Sequence, residues 1–558
     1  MGYRPYVRML MAVMLAVPVT AWGQGGGRAG RAGATPQTTT QQTAPPQAAT
    51  PQAGTTGRGG RGAAAAPGAG ASEFFDYDTT AGSGQSIPDG PPKETHQKAT
   101  INGEALAYTA YAGYMPLRNA TTGQAEAHLF YTFYAKDGAG EGRPLVFFLG
   151  GAPGVSAAWQ ELGGLGPKRM KWTADGTAGP PPYGWADNPY SLLSQADLVF
   201  ANPVGTAFSR PGQPNRASTF WNSGADVASL GEFVRSFLNS YNRRNSPLVL
   251  AGEDLRTGRT GGLAAYLVDH RIPVHGVALF SMTLSADSVA GDTQYLTLLP
   301  SLVMAAWRHK KLAPELNAMS AEQISGQARQ FASREYLHAL YKGDRMTPDE
   351  RTRAIANLSR LTGLSKAFIV SNDLRISLDR FSGELLRDQR RGLSYSDARV
   401  TGFVPAPAGG GRGAFGFVPP SPIDYSLSEL SGGFQTAYES YLRGELGFSG
   451  NGVFYLSSGG VGEFAAPGSD DASLSAAMAR NPSLHLFVGV NYYDLNAPFY
   501  ATEFTLAHLN VSPEVRAHNI TVSHYEAGQM PYADNKALVK LHADLSRFIN
   551  EATSSAHK

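Results

Sequence analysis

The residue types in this chain limit the covalent and acid–base chemistry open to it. None of the 558 residues is a cysteine, which excludes disulfides, thiolate metal ligands and thiolate nucleophiles together. The 12 histidines show no HExxH motif or other metal-ligand spacing, so neither a metal nor another cofactor is predicted. No Gly-x-Ser-x-Gly turn occurs in the sequence. Serine and aspartate remain as the usual residue types for a covalent nucleophile.

Short apolar runs are the elements that would position such residues. Continuous runs of this length are typical of strands buried on both faces of a parallel sheet. Helical stretches alternate with them, for example at residues 225–241 and 261–270. This alternation predicts an α/β fold with a mostly parallel sheet flanked by helices. The runs are Leu145–Leu149, Leu198–Phe200, Leu248–Leu250, Gly276–Phe280 and Leu484–Val488.

The pattern becomes helical between residues 288 and 443. Ser320 with Gln323, and Thr347 with Glu350, have the spacing of capping boxes and predict two helix N-termini. We therefore expect an inserted helical cap over the carboxyl edge of the sheet, where α/β proteins bind their ligands.

The first 72 residues predict export followed by a spacer. Residues 1–23 contain two arginines, an apolar run too short to span a bilayer, and small residues, as in a secretory signal; an uncleaved membrane anchor is the alternative. Residues 24–72 contain only Gly, Ala, Arg, Thr, Gln, Pro and Ser, which predicts disorder. The predicted protein is periplasmic or secreted, without a stable membrane span. Its folded part comprises core residues 73–287, the cap 288–443 and core residues 444–558.

The charge balance changes when these segments are set aside. The whole chain has 47 basic and 45 acidic residues, a net charge of +2. Six arginines and no acidic residue precede Glu73, so 41 basic and 45 acidic residues remain, a net charge of −4. Neither balance favours a nucleic-acid partner.

Five groups of motifs, in their order along the chain, resemble the serine carboxypeptidase family. The resemblance extends over about residues 143–549, and residues 306–389 also resemble the helical cap of bacterial members. It implies an α/β-hydrolase fold and a peptidase that releases C-terminal residues. The motifs are Gly150-Gly-Ala-Pro-Gly154, Leu165-Gly-Pro167, Asn202-Pro-Val-Gly-Thr-Ala-Phe-Ser209, Ala251-Gly-Glu253, and Tyr492-Tyr-Asp-Leu-Asn-Ala-Pro498 with Tyr525-Glu-Ala-Gly528.

The resemblance assigns the catalytic triad to three positions, and two of them have the wrong residue. Asp254 stands where the family has its serine nucleophile, and Arg256 replaces the small residue that follows it. Asp494 matches the acid, but Gln529 stands where the family has its histidine base. Because a glutamine amide has no titrating nitrogen, it cannot take a proton from a nucleophile and return it to a leaving group.

The substrate-binding positions implied by the resemblance have also changed. The family binds the terminal carboxylate of its peptide at the positions of Gly150, Gly164 and Glu253, and only Glu253 keeps a suitable side chain. Glu161, three residues before Gly164, is a candidate substitute.

The oxyanion hole would come from the backbone N–H groups of Ala152 and Leu255. Backbone donors survive changes of side chain, although Arg256 would alter the turn that directs them.

Two functions follow from these positions. The first is an exported, catalytically silent protein, a pseudoenzyme whose old cleft binds a peptide or a protein partner. The alternative is an active serine-type carboxypeptidase or related hydrolase with a rearranged site. Aspartate catalysis at Asp254, with His524 or His518 as the base, is one form of that alternative.

Overall fold

The computed structural model describes residues 87, 90–151, 154–173, 176–213, 216–253, 258–283, 285–404, 424–457 and 470–554, all within the unit Glu73–Lys558. The predicted export signal and spacer lie outside the described residues. So do Ala152 and the turn residues 254–257, which include Asp254, Leu255 and Arg256.

Strands in this part of the chain form one large mixed sheet and two small two-stranded sheets. The strands are β1 (Lys93–Ile101), β2 (Glu104–Arg118), β3 (Ala125–Lys136), β4 (Leu145–Phe148), β5 (Lys168–Met170), β6 (Trp185–Asp187), β7 (Asp197–Ala201), β8 (Arg210–Pro211), β9 (Leu248–Glu253), β10 (Gly276–Phe280), β11 (Arg391–Leu393), β12 (Thr401–Phe403), β13 (His485–Asn491) and β14 (Ile520–Tyr525).

The large sheet has the order β1-β2-β3-β7-β4-β9-β10-β13-β14, with β8 paired to β3. The six strands β7-β4-β9-β10-β13-β14 are parallel to one another. Strands β1, β2 and β3 form an antiparallel extension, in which β3 pairs antiparallel to β7. The predicted α/β fold with a mostly parallel sheet is therefore confirmed.

The five predicted strands correspond to β4, β7, β9, β10 and β13. Phe147 and Phe148 on β4 are both fully buried, yet they belong to different hydrophobic clusters. Because successive side chains of a strand point to opposite faces, the two clusters lie on opposite faces of the sheet. The central strands are thus buried on both sides, as their continuous apolar runs predict.

Helices cover both faces and form most of the insertion between β10 and β13. Helix α15 contributes to the cluster of Phe148, whereas α2, α3, α4 and α13 contribute to the cluster of Phe147. The helices are α1 (Ala158–Gln160), α2 (Ser223–Ser240), α3 (Arg259–Asp269), α4 (Thr293–Arg308), α5 (Pro314–Asn317), α6 (Ala321–Phe331), α7 (Leu337–Lys342), α8 (Pro348–Thr362), α9 (Lys366–Ser371), α10 (Leu378–Glu384), α11 (Tyr425–Gly444), α12 (Asp470–Arg480), α13 (Phe499–His508), α14 (Pro513–Asn519) and α15 (Asn535–Ser554).

Both predicted capping boxes are present at the start of cap helices. Ser320 and Gln323 close the N-terminus of α6, and Thr347 and Glu350 close that of α8. Across the described ranges, every helix falls short of the length and apolar character needed to cross a membrane.

Candidate functional site

Asp494, the predicted triad acid, lies in the loop after β13, at the carboxyl ends of the parallel strands. Its side chain is fully buried, and its Oδ1 accepts hydrogen bonds from the N–H groups of Asn496 (3.0 Å) and Ala497 (3.1 Å). Burial is the main cause that raises the pKa of Asp494 from its ordinary 3.8 to about 8. The carboxyl group is therefore mostly protonated at neutral pH, unlike a triad acid, which stays ionised beside its histidine.

Gln529, at the predicted position of the base, follows β14. Its N–H donates to the carbonyl oxygen of Ser396 (2.6 Å), and its own carbonyl oxygen accepts from the Ser281 hydroxyl (2.5 Å). Ser281 follows β10, accepts a hydrogen bond from the Asn491 amide (2.6 Å) and contributes to the pKa of Asp494. The structure thus brings Asp494 and Gln529 together around Ser281, and the backbone of Gln529 is held from both sides.

Part of the insertion, residues 394–400, covers this edge of the sheet; we call it the clamp segment. It accepts a hydrogen bond from the N–H of Leu495 (2.9 Å) and donates one to the carbonyl oxygen of Tyr493 (2.9 Å). Its Ser396 hydroxyl accepts a further one from the Asn496 amide (3.2 Å). The clamp segment is therefore fastened to the loop that contains the predicted acid as well as to Gln529.

Side chains reinforce the contact between the clamp segment and the chain around Gln529. A Cβ atom at Gly528 would lie only 2.5 Å from the side chain of Asp397, so these two parts of the chain are in direct contact. Arg399 forms ion pairs with Asp397 (2.7 Å) and Asp534 (2.8 Å) and donates to the carbonyl oxygen of Glu526 (3.0 Å). Arg399 thereby ties the clamp segment to the start of α15.

A cavity of about 340 Å³ remains beside Gln529, between the clamp segment, α11 and the start of α15. Its walls combine apolar surface with hydroxyl, amide, carboxylate and guanidinium groups. Such a volume and lining fit a small polar ligand or one or two peptide residues. The polar lining includes Thr177, Ser396, Asp397, Arg399, Ser426, Glu429, Gln529 and Asp534.

The loop after β4, which begins with Gly150, is held by buried side chains. Gln160 bonds to both the N–H and the carbonyl oxygen of Gly150, each at 3.3 Å. Gly150 has a φ of +77°, and a Cβ there would lie 2.7 Å from the carbonyl oxygen of Val155. The position therefore excludes a larger residue unless the loop moves.

Arg259 anchors the same loop from the first turn of α3, a role that sequence reasoning missed. Its guanidinium is 1% exposed, bonds to the carboxylate of Asp226 (2.6 Å) and donates to the carbonyl oxygen of Gly151 (2.6 Å). Because Ala152 directly follows Gly151, Arg259 fixes the approach to the predicted oxyanion hole.

Glu253 and Gly164, two predicted substrate-binding positions, are both next to Tyr532. Glu253 ends β9, is buried, and donates its N–H to the carbonyl oxygen of Gly150 (3.3 Å). Burial and then the Glu253 carboxylate raise the pKa of the Tyr532 hydroxyl. A Cβ at Gly164 would lie 2.3 Å from the carbonyl oxygen of Tyr532. Tyr532, which the motif comparison missed, therefore occupies the space beside both positions.

Glu161, the candidate substitute for Gly164, is buried inside a cluster of tyrosines. Its carboxylate accepts hydrogen bonds from the hydroxyls of Tyr134 and Tyr438, the latter at 2.7 Å. Burial raises its pKa to about 7. The contact with Tyr438 links Glu161 to α11, and ligand binding by Glu161 stays a prediction.

The histidines considered as substitute bases have other partners. The Nε2 of His524 contacts the carboxylate of Glu503 (2.5 Å), and the ring of His518 contacts the carbonyl oxygen of Glu514 (2.9 Å). Neither forms a hydrogen bond with Asp494 or Gln529. A group of three or more His, Asp or Glu side chains arranged to hold a metal is absent from the described ranges.

These features define the class of the protein. A mostly parallel sheet with helices on both faces, a helical insertion after β10 and an acidic residue after β13 are those of the α/β-hydrolases. Residues 101–275 match the family model described as serine carboxypeptidase, so this part of the chain is similar to the serine carboxypeptidases, as its motifs predict.

Two known proteins extend this comparison. Over 131 residues the chain is 30% identical to serine carboxypeptidase-like 36 of Arabidopsis thaliana. The matched stretch covers 23% of this chain and 25% of that protein. The chain thus spans about a quarter of the length of this curated relative. A prohormone-processing carboxypeptidase of Saccharomyces cerevisiae has a similar fold, with a TM-score of 0.52 and 14% identity over 79% of this chain and 91% of that one.

The protonated state of Asp494 predicts an unusual dependence of stability on pH. Between about pH 4 and pH 8 the folded form holds a proton that the unfolded form has lost, so stability falls as pH rises through this range. A shift from 3.8 to about 8 is about 4 units, or at most about 6 kcal/mol. We expect Asp494→Asn, which imitates the neutral acid, to gain about 1–3 kcal/mol at pH 8 and almost nothing at pH 4.

Urea unfolding at a series of pH values measures this difference, and Asp544→Asn is the matched control. Burial opposes ionisation of Asp544, but hydrogen bonds from Lys540 and Tyr525 lower its pKa below the ordinary value. Its replacement should therefore reduce stability, most strongly above pH 4. A loss of stability in Asp494→Asn at pH 8 would contradict the protonated state. Because burial raises the pKa of Glu161 to about 7, the stability of both variants should still decline somewhat as pH rises.

Proposed function

We propose that this protein is an exported, catalytically silent relative of the serine carboxypeptidases that binds a peptide or a protein partner. The observation that carries the proposal is the state of the acid and base positions. Gln529 has an amide where proton transfer needs an imidazole, and burial raises the pKa of Asp494 to about 8. Neither group can activate a nucleophile at position 254, whichever residue occupies it.

The clamp segment supports catalytic silence in a second way. It bonds to the Asp494 loop and to Gln529, so a substrate approaching these residues from the clamp side would have to displace it.

Binding is supported by the cavity that remains. At about 340 Å³ it is at the lower end of the usual volume of ligand sites, and it has both donors and acceptors on its walls. Hydroxyl, amide and guanidinium groups beside apolar surface suit a peptide or another small ligand with polar groups.

The test is a direct comparison of activity and labelling. We expect the purified protein to release no C-terminal residue from N-blocked dipeptides and to resist a fluorophosphonate probe, because both need an activated nucleophile. Turnover that Asp254→Ala abolishes would instead establish the alternative, a hydrolase with a rearranged site. Trypsin, labelled in parallel, shows that the probe is active.

Variants that restore the motif residues test the same proposal by a gain of function. Asp254→Ser combined with Gln529→His and Arg256→Gly restores the motif residues, and labelling of this variant but not of the parent would show that the triad alone was lost. If the folded triple variant stays unlabelled, the cleft around it has changed as well, as the contacts of Tyr532 and the clamp segment suggest.

Export is tested separately by N-terminal sequencing of the protein recovered outside the cytoplasm. Cleavage near residue 23 is expected, whereas an intact N-terminus in the membrane fraction would support the anchor alternative.

A further inference from the structure

Strand β14 is the outermost strand at its end of the large sheet, and its only strand partner in the described ranges is β13. The carbonyl oxygen of Tyr525 accepts from the N–H of Tyr492 (3.0 Å), so Tyr525 faces β13. Because backbone groups alternate in direction along a strand, those of Val522 and His524 point away from β13. Neither residue's N–H or carbonyl group bonds to any other described residue, and Val522 is 36% exposed.

This edge forms the floor of a groove with a volume of about 1460 Å³. One wall is the start of α15. The opposite wall comprises α13, α6 and the end of α4, which lie on the other face of the sheet. Helices from both faces of the sheet therefore line the groove beside the edge strand.

The walls of the groove are more positive than the rest of the folded protein. Six basic side chains and four acidic ones line it, whereas residues 73–558 have a net charge of −4. Two of the acids are already paired, Glu503 with Arg329 (2.7 Å) and Asp534 with Arg399 (2.8 Å). The basic residues are Arg308, Lys310, Arg329, Arg399, Lys536 and Lys540, and the remaining acids are Glu322 and Glu526.

Three of these cations remain available to a ligand. Arg308, Lys310 and Lys536 form no ion pair with a described residue, and they stand on both walls of the groove. An extended segment on β14 would present alternate side chains to the two walls, so acidic residues on either side would meet a cation.

We propose that β14 is a docking edge for an extended acidic peptide segment of a partner protein, which adds as a further strand to the sheet. Main-chain hydrogen bonds to Val522 and His524 supply affinity, and the cations of the walls select acidic side chains. The groove is bounded on both sides by helices, which favours a single strand over the edge of a second copy of this domain. It shares Gly176, Arg308, Arg399 and Asp534 with the cavity beside Gln529, but docking on β14 does not depend on catalytic silence.

The probe is a short fluorescent peptide of alternating glutamate and valine, and the control peptide has lysine in place of glutamate. By fluorescence anisotropy we expect the acidic peptide to bind the full-length protein at least about tenfold more tightly than the basic one. Val522→Pro removes the outward N–H without removing a bond to β13, and should weaken binding about tenfold. Val522→Thr keeps the N–H and should bind like the parent.

Hydrogen exchange and charge variants keep the test decisive if the proline variant fails to fold. In the parent protein, bound peptide should slow exchange of the Val522 and His524 amides at least about tenfold, because they become hydrogen-bonded. The double variant Lys310→Glu with Lys536→Glu should bind the acidic peptide more weakly and the basic peptide more tightly than the parent does. Equal binding of the two peptides, or unchanged exchange at both amides, overturns the proposal.

A self-associating edge would give a different result. If the protein is a dimer that Val522→Pro dissociates, a second copy occupies the edge, and the proposal is wrong. If the acidic peptide does not bind at β14 and peptidase activity is absent, this inference is wrong but the proposed function stands. If the acidic peptide binds at β14 and the protein has peptidase activity, this inference stands but the proposed function is wrong.

Discussion

Replacing Arg259 with methionine is expected to lower the free energy of unfolding by about 3–5 kcal/mol, because it leaves the Asp226 carboxylate buried without its partner. The Nε of Arg259 is 2.6 Å from Asp226 Oδ2, and both side chains are almost completely buried. Burial already raises the pKa of Asp226 despite the guanidinium, so without Arg259 this carboxyl group would take up a proton. The hydrogen bond to the carbonyl oxygen of Gly151 would be lost as well.

An exposed ion pair provides the matched control for this measurement. Arg235 and Glu232 on α2 are in contact but are 49% and 33% exposed, and Arg235→Met should change stability by less than about 1 kcal/mol. The double variant Arg259→Met with Asp226→Leu should recover part of the loss, because no buried charge remains. If urea unfolding shows a similar loss in the free energy of unfolding for Arg235→Met and Arg259→Met, burial of the ion pair does not determine the effect.

Much of the fold can be predicted from the sequence because the information is local. The buried runs of β4, β9 and β10 are continuous and short, and the capping boxes at Ser320 and Thr347 lie within four residues. Strands β1, β2, β3 and β14 were not predicted. In β2, buried and exposed residues alternate, which is the pattern of a strand with one face on the core, but no motif draws attention to it.

The motif resemblance assigns positions for a candidate site, but it does not give their contacts. It assigns Asp494 and Gln529, and both follow strands of the parallel sheet. What these residues touch depends on chain segments far away in sequence: Ser281 and Ser396 are both more than 100 residues from Gln529. Such contacts follow from the topology of the sheet and the path of the insertion, and no local pattern encodes them.

The same separation explains why Arg259 and Tyr532 were missed. Arg259 lies three residues beyond the expected turn, where an arginine is usually exposed at the start of a helix. Only the fold places Asp226 opposite it. Tyr532 follows the base position by three residues, yet it packs on Gly163 and Gly164, more than 300 residues earlier. Residues that lie far apart along the chain, Tyr532 and Gly164, are therefore neighbours in space.

Gly164→Glu, which restores the residue that the resemblance expects at this position, should destabilise the protein by about 3 kcal/mol or more. A Cβ here would be 2.3 Å from the backbone carbonyl oxygen of Tyr532, and a buried carboxylate would add to the cost. Gly164→Ala should account for most of the loss, because the first carbon already meets backbone. Gly163→Ala should cost less, since its Cβ would meet the ring of Tyr532 at 2.8 Å, and a side chain adjusts more easily.

The control for these variants is Gly326→Glu on α6, where a Cβ has open space around it. That change should be neutral or stabilise the helix by about 0.5 kcal/mol, because glycine is a poor helix former. Thermal and urea unfolding of the four variants separate a local clash from a general effect of added charge. If Gly164→Glu is as stable as the parent, the space beside Tyr532 admits a larger side chain, and the expected clash is wrong. The expected loss instead means that Tyr532 occupies the space that a glutamate at position 164 needs, so restoring the triad residues would leave this position closed.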